Sequence, residues 1–572
     1  MNAFLSFLSI TATLASVTIA DIYTAKSDYI IIGAGPAGLV LAEQLSRNPS
    51  KHVTILEAGL DAINSTLVNT PAFYIQLSEP FWNYTVQPDP NLNGATPSLG
   101  QARILGGGSA VNGMAYCRGS ASLFDEWAEL SGNPGLAWES LLEDFVEVSH
   151  LGDQVADYDQ FINKTVYGNG PLEVSRSSGL TGFEIPFVNA IKSNLGLDVV
   201  DLTDGTGIGI DMGVGTIRAN SRTRSHAGNS FGTLLDGRPN VRVITGAWAS
   251  RIGFKRNVAV NVTYHTDSGK HTIQGKEIVV SGGAINTPKL LMLSGIGPKQ
   301  KLKALGIPVI ADMKDIGANL RDHAFAIAEL LVTPEVLTTW QWSVNATGKV
   351  AAEIQYAVNG SGPLGWNNGF VFAGFRLPAS VWEGIDGSHF TTLPADRPHI
   401  LIEFSTAPFL PTNNASSIVA WASLVQPESS GYVTLNSSDY RADPLIHTNY
   451  YGSDADKAAI IAGYKILLDV LSGQEVQQLT IDRFYPASAT PLDSDDDVWA
   501  AVQQQTYSFH HPIGTAALGK VLDRDWRLRG LQGIRVVDSS TFPYPTTCHP
   551  QAVIYALANR AAKDIIASDW SD

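Results

Sequence analysis

The chain has 572 residues, 44% of them hydrophobic and 16% charged. It is too long for one ordinary domain and too apolar to be disordered, so three or four units or one large two-domain enzyme are expected. Lys and Arg number 38 against 54 Asp and Glu, a net charge of −16 that repels phosphate backbones and acidic lipid, so no nucleic-acid partner is expected. Cys117 and Cys548 are the only cysteines, which allows one bridge at most and no cysteine-based zinc site. No metal is expected.

Residues 1–20 form a short apolar stretch, interrupted by Ser and Thr and ending in Thr18-Ile19-Ala20. This predicts a signal peptide cut after Ala20. Asn-x-Ser/Thr acceptors begin at Asn64, Asn83, Asn163, Asn261, Asn345, Asn359, Asn414 and Asn436. No later apolar window is long enough to anchor the chain in a bilayer. The mature protein is expected to be a secreted glycoprotein without a stable membrane anchor.

Tyr29-Ile30-Ile31-Ile32 is a β-branched run suited to a strand buried on both faces. The turn Gly33-Ala34-Gly35-Pro36-Ala37-Gly38, an apolar helix pattern over residues 39–45 and a second strand over 53–57 complete a βαβ unit. In such a unit Gly33 permits the tight turn, Gly35 lets backbone approach a pyrophosphate, and Gly38 lets helix and strand pack closely. Glu57, ending the second strand, is placed to accept hydrogen bonds from a ribose diol. Dinucleotide binding follows, but the pattern does not separate FAD from NAD.

A second glycine cluster, Arg103-Ile104-Leu105-Gly106-Gly107-Gly108 through Asn112-Gly113-Met114, is bracketed by apolar residues too tightly for a linker and predicts backbone packed on a ligand. A buried strand over 277–280 runs into Gly282-Gly283 and an apolar helix that stops at Ser294-Gly295. Between about 300 and 490 the chain alternates strand-like runs with tryptophans, which predicts a second domain built on a mainly antiparallel sheet. Strand and helix patterns return near the C-terminus. The fold class is therefore α/β (α+β overall). A discontinuous Rossmann-like domain spans 27–300, with inserted cap segments at roughly 60–100 and 120–215. A substrate domain spans 301–490, and the first domain resumes over 491–572.

The βαβ turn, the segment Arg103 to Asn112, the segment Gly283 to Gly297, and the terminal pair His511-Pro512-Ile513-Gly514-Thr515 and Cys548-His549-Pro550-Gln551 occur in one order. Together they resemble the glucose-methanol-choline (GMC) oxidoreductases, FAD-dependent alcohol oxidases and dehydrogenases, over residues 27 to 568. The similarity is strongest to the secreted fungal branch that includes glucose oxidase, glucose dehydrogenase and aryl-alcohol oxidase. The resemblance implies FAD as cofactor, with Gly33, Gly35, Gly38 and Glu57 on its ADP half. Arg103, Gly107, Asn112, Gly113 and Met114 would lie along the pyrophosphate and flavin. Ala249, in a strand expected over 241–252, would sit beside the adenine, Asp538 at the centre of the cofactor, and Pro550 at the flavin edge. FAD supplies the redox chemistry and the protein supplies position.

The same resemblance makes His511 and His549 the catalytic pair. His511 is the expected general base for the alcohol proton as hydride passes to flavin N5, and His549 holds the substrate oxygen. His510 adds a second polar contact or a proton donor to oxygen, which tilts the expected acceptor toward oxygen over a quinone. Tyr507 and Phe509 stand where sugar-oxidising relatives carry polar contacts, and Trp421 aligns with their acidic sugar contact. The expected substrate is therefore a primary or secondary alcohol on an aromatic or apolar secondary-metabolite framework, not glucose. Some relatives keep fold and flavin for elimination or cyclisation, so a lyase or cyclase, or a flavin-containing binding glycoprotein, is the alternative class. Cys117 and Cys548 are expected as free buried thiols. The protein is expected to be a monomer or homodimer.

Overall fold

The computed structural model describes residues 26–77, 81–153, 161–366, 369, 371–411 and 415–569. The expected signal peptide and the Asn414 acceptor lie outside the described residues.

The first sheet grows from β1 (Ser27–Ile32) and β2 (Val53–Leu56), joined by α1 (Pro36–Leu45). Pro36 occupies the first helical turn, where its missing N–H costs nothing. The helix is buried on nearly every side, wedged between this sheet and the C-terminal helix Gln551–Asp569. That double burial explains its lack of a polar face.

Parallel pairing continues through β3 (Val241–Ile244) on the far side of β2, and a meander of β4 (Trp248–Lys255), β5 (Val258–Thr266) and β6 (Gly269–Val280) completes the order β3-β2-β1-β6-β5-β4. The long β6 serves two partners. Its first half, with buried Ile273 between exposed Thr272 and Gln274, pairs antiparallel with β5. Its second half, the continuous Ile278-Val279-Val280, pairs parallel with β1 and with Ile534–Val536. The change from alternating to continuous apolar sequence marks the change of partner.

The strand expected over 241–252 is broken: β3 and β4 are separate, with Gly246 at φ 63° between them. The chain there leaves the parallel sheet for the meander, a turn that the apolar run concealed.

Register lines up Ile32 with Leu56 and Val280, and Val280 with Val536. The segments that follow these residues, carrying Gly33, Glu57, Ser281 and Asp538, therefore emerge at one carboxyl edge, where parallel sheets bind ligands. α2 (Gly283–Leu293) starts from that edge.

The second sheet is antiparallel: β7 (Ala324–Val332), β8 (Phe372–Phe375), β9 (Ile400–Ser405), β10 (Ser417–Leu424) and β11 (Thr480–Tyr485). It extends beyond the 301–490 span, because Gly209–Asp211 adds to β8 and β12 (Thr506–Ser508) adds to β7. One face carries Ala324, Ala326, Ala328, Ala420 and Ala422 against α3 (Asp454–Leu471), small residues that let the helix approach. The opposite face is aromatic. Phe372, Glu403, Trp421 and Ile327 are successive cross-strand partners, and Ser423, Phe325 and Tyr507 form the next row.

Cys117 and Cys548 are joined in a disulfide, with Cα atoms 6.2 Å apart, and are not free thiols. Each sits in a motif that converges on the same place from 431 residues away, and spacing alone does not reveal such a meeting. The bridge ties the segment after Met114 to the residue preceding His549.

Candidate active site

The carboxyl edge of the first sheet and the aromatic face of the second enclose a cavity of about 810 Å³. At one end Glu57 is buried, accepting the Ala34 N–H at 2.8 Å on Oε2 and the Gly59 N–H at 2.7 Å on Oε1. Burial pushes its carboxyl up from the ordinary value, partly offset by those backbone donors. Ala249 lines the same end.

Next comes a backbone cradle. A Cβ on Gly107, which sits at φ 54°, would lie 2.6 Å from the Cα of Gly35, so the two glycine loops pack back to back and only glycine fits there. Both line the cavity, as do Gly33, Gly113, Met114 and Pro550. Gly38 does not, because it faces the Gly33 carbonyl, which a Cβ would meet at 1.9 Å.

Arg103 is not a lining residue either. Its guanidinium lies between the Trp82 and Trp248 rings, 4.6 and 5.3 Å from their centroids, and its Nε donates to the Ala58 carbonyl at 3.4 Å. It braces the wall formed by Trp82 and Trp248, both of which line the cavity. Asn112 is fixed on three sides. It donates to Gln551 Oε1 at 2.8 Å, while its Oδ1 accepts the Met114 N–H at 3.1 Å and Arg224 at 2.9 Å. Asp538 is also held: its Oδ2 accepts from Gly283 N–H at 2.8 Å and Thr287 Oγ1 at 2.6 Å, and its Oδ1 accepts from Ser540 N–H at 2.7 Å.

The other end holds both expected histidines. His511 Nε2 and His549 Nδ1 face each other at 3.4 Å. His549 Nε2 lies 3.1 Å from both carboxylate oxygens of buried Glu403. Behind His511, its Nδ1 meets His323 Nδ1 at 3.1 Å, and His323 Nε2 donates to the Thr546 carbonyl at 2.9 Å. The His511 N–H donates to Asp322 Oδ1 at 2.9 Å, and Tyr450 and Ser508 hydroxyls occupy Asp322 Oδ2. Burial, with His549, His323 and His510 adding repulsion, holds His511 well below the ordinary histidine value. A buried imidazole so placed stays neutral and ready to accept a proton. His510, in the left-handed region at φ 60°, lines the cavity, and burial lowers it too.

Trp421, Tyr507 and Phe509 line this end together with Phe325 and Phe409. Phe509 stacks on His511 with ring centroids 5.3 Å apart, and Phe325 meets Phe509 at 4.3 Å. Glu403, the direct cross-strand neighbour of Trp421, adds a carboxylate beside this aromatic wall, turned to His549.

His323, Asp322, Glu403 and Lys289 were missed from sequence. The signals were a lone carboxylate in the apolar run Ile400-Leu401-Ile402-Glu403-Phe404 and a lone lysine in the apolar helix α2. Lys289 is 3% exposed and lines the cavity beside the Trp248 ring, and its Nζ has no hydrogen-bond partner among the described residues. Burial pushes it down to about 8. A cradle that only glycine fits, an acidic strand end and an orphaned buried donor suit a dinucleotide that fills the cavity. Among the described residues no cluster is arranged to hold a metal ion, and no helix is long and apolar enough to cross a membrane.

A dinucleotide-sized cavity with a paired-histidine end suits an enzyme that uses a dinucleotide cofactor. The chain belongs to the GMC oxidoreductases: the family's N-terminal domain matches residues 27–325 and its C-terminal domain residues 427–558. It is 28% identical to pyranose dehydrogenase 3 of Leucoagaricus meleagris, over 94% of this chain and 92% of that one. Patulin synthase of Aspergillus clavatus is 30% identical, over 94% and 91% of the two chains. A formate oxidase of Aspergillus oryzae RIB40, studied for its FAD modification, superposes with a TM-score of 0.87 at 26% identity, covering 95% of this chain and 99% of that one. The cofactor is FAD, and the enzyme acts on CH–OH groups.

Proposed function

We propose that this enzyme oxidises a primary or secondary alcohol carried on an aromatic or apolar framework, with His511 as general base. The facing of His511 Nε2 and His549 Nδ1 at 3.4 Å beneath the aromatic wall carries this reading. FAD, bound along the glycine cradle, supplies the hydride acceptor. Glu57, Asp538, the cradle of Gly35 and Gly107, and Lys289 are the residues that would hold it.

The alcohol oxygen binds in front of the two ring nitrogens, within hydrogen-bond reach of both. His511 Nε2 takes the hydroxyl proton: the O–H bond breaks and an N–H bond forms, and the pair left on oxygen closes the C=O double bond as the carbon gives up its hydrogen, with both C–H electrons, to the hydride acceptor that FAD would supply. His549, whose Nε2 rests 3.1 Å from the Glu403 carboxylate, holds the oxygen through Nδ1. Phe325, Trp421, Tyr507 and Phe509 exclude water and give the substrate ring apolar and stacking area. Phe325, Phe409 and Phe509 bring no hydrogen-bonding group to that wall, so sugar hydroxyls facing them would be left unpaired at about 1–3 kcal/mol each. Anaerobic mixing with benzylic, furanic and sugar alcohols tests the reading: ring-bearing alcohols should bleach the flavin absorbance in preference to glucose. Turnover without bleaching would favour a lyase or cyclase.

We also propose that the mature chain is secreted and glycosylated. Asn64, Asn83, Asn359 and Asn436 are exposed, which supports sugar attachment there. Unchanged gel mobility after enzymatic deglycosylation of the native protein would refute it.

A further inference from the structure

We propose that His323 is a positioning residue that sets the tautomer of His511, so that the base presents a bare Nε2 to the alcohol. The proposal rests on the reading of His511 as the base.

Backbone pairing brings the two rings together. The Ile513 N–H donates to the Arg321 carbonyl at 2.9 Å and the Phe509 N–H to the His323 carbonyl at 3.0 Å, so the segments 321–323 and 509–513 run side by side. Both carboxylate oxygens of Asp322, which lies between Arg321 and His323, are taken up by Ser508, Tyr450 and the backbone N–H groups of His323 and His511. That network fixes the backbone on both sides of the ring pair without touching either imidazole.

Hydrogen placement then follows from the far end of the chain. The Thr546 carbonyl can only accept, so the hydrogen in its 2.9 Å contact belongs to His323 Nε2. His323 is buried and no carboxylate contacts its ring, so it is neutral; burial and the neighbouring His549 push it down to about 3. A neutral imidazole protonated on Nε2 has only a lone pair on Nδ1. Across 3.1 Å stands His511 Nδ1, and one of two facing ring nitrogens must donate, so the hydrogen is on His511 Nδ1. His511 Nε2 is left bare, on the side that faces His549 and the cavity.

The groups facing His511 are His323, His549 and His510, with Glu403 behind His549 and Asp322 on its backbone N–H. None of them offers a competing side-chain acceptor to Nδ1. When Nε2 takes the alcohol proton, the imidazolium keeps its Nδ1–H on His323, so the ring neither flips nor turns during proton transfer. The selection originates at a backbone carbonyl, which cannot titrate.

The test compares holoenzyme variants in anaerobic flavin reduction by a good alcohol substrate. His323→Leu removes the acceptor, whereas His323→Asn places an amide oxygen where Nδ1 was. The expected result is a reduction rate at least about tenfold lower in His323→Leu, with substrate affinity changed less than about twofold. Recovery to within about threefold of wild type is expected in His323→Asn at a comparable melting temperature. Equal rates in the two variants, or a wild-type rate in His323→Leu, would overturn the proposal. A second measurement needs no variant to fold: nitrogen NMR of the 15N-histidine-labelled wild-type holoenzyme should show His511 protonated on Nδ1 and bare on Nε2. The opposite tautomer overturns the proposal whatever the variants do. A His511→Ala enzyme that still reduces its flavin normally would remove the base itself, a failure distinguishable from a wrong tautomer at an essential His511.

Discussion

Glu403 and Trp421 are directly opposed on neighbouring antiparallel strands, so one cross-strand pair presents a carboxylate to His549 and an indole to the substrate space. The carboxylate on His549 and the indole in the cavity wall are therefore held at adjacent positions of one sheet. Loops do not set their spacing.

Replacing Glu403 with Leu removes the acceptor on His549 Nε2. A hydrogen bond to a charged group is worth about 1.5–3 kcal/mol, so the rate of flavin reduction should fall roughly 10- to 100-fold. Glu403→Gln, which keeps an acceptor oxygen, should lose less. Rapid-mixing kinetics check this, and equal losses in the two variants would show that the negative charge is what matters.

Trp421→Ala should act on substrate choice. Loss of the indole removes apolar area and stacking, which beyond burial are worth about 0.5–1.5 kcal/mol. KM for benzylic alcohols should rise by about tenfold, with little change for small aliphatic alcohols. Parallel steady-state kinetics on the two classes measure the effect.

Much of this arrangement was readable in the sequence. β1, α1 and β2 announce themselves through a continuous β-branched run, a glycine turn and a helical apolar period, because local backbone and burial rules act within about thirty residues. His511 and His549 stand out because their glycine- and proline-bounded turns match the motifs of the family the chain resembles. Glu403 does not, since a carboxylate in an apolar run acquires meaning only from the strand opposite it. The Cys117–Cys548 bond and the His323–His511 contact are hidden for the same reason: sequence separations of 431 and 188 residues put both beyond any local pattern. The break at Gly246 was concealed by apolar residues on both sides, which serve either sheet equally well.

Lys289 should matter to cofactor retention. An unpaired buried ammonium is costly, and a bound cofactor that accepts its hydrogen bond relieves the cost. Lys289→Met should therefore release FAD more readily, with dissociation at least about tenfold faster at a given urea concentration. The deflavinated full-length chain should melt no lower than wild type. Flavin fluorescence and circular dichroism follow the two events separately, and unchanged FAD release would exclude the contact.

The pH profile has a definite sign. Burial first, then His549, His323 and His510, depress His511 well below the ordinary histidine value near 6.5, and the base works in its neutral form. A depressed value extends the neutral range toward acid. Between pH 8 and 6.5 the rate of flavin reduction should stay flat, and its acid limb should fall below pH 6.5. An acid limb centred at or above 6.5 would assign the titration to another group.

The most direct measurement is anaerobic flavin reduction by His511→Ala holoenzyme, supplied with an alcohol that bleaches the wild-type flavin. Loss of a positioned general base predicts a reduction rate lower by at least about a hundredfold, with FAD content and fold intact. Reduction at near the wild-type rate would contradict the assignment of His511 as the group that takes the alcohol proton.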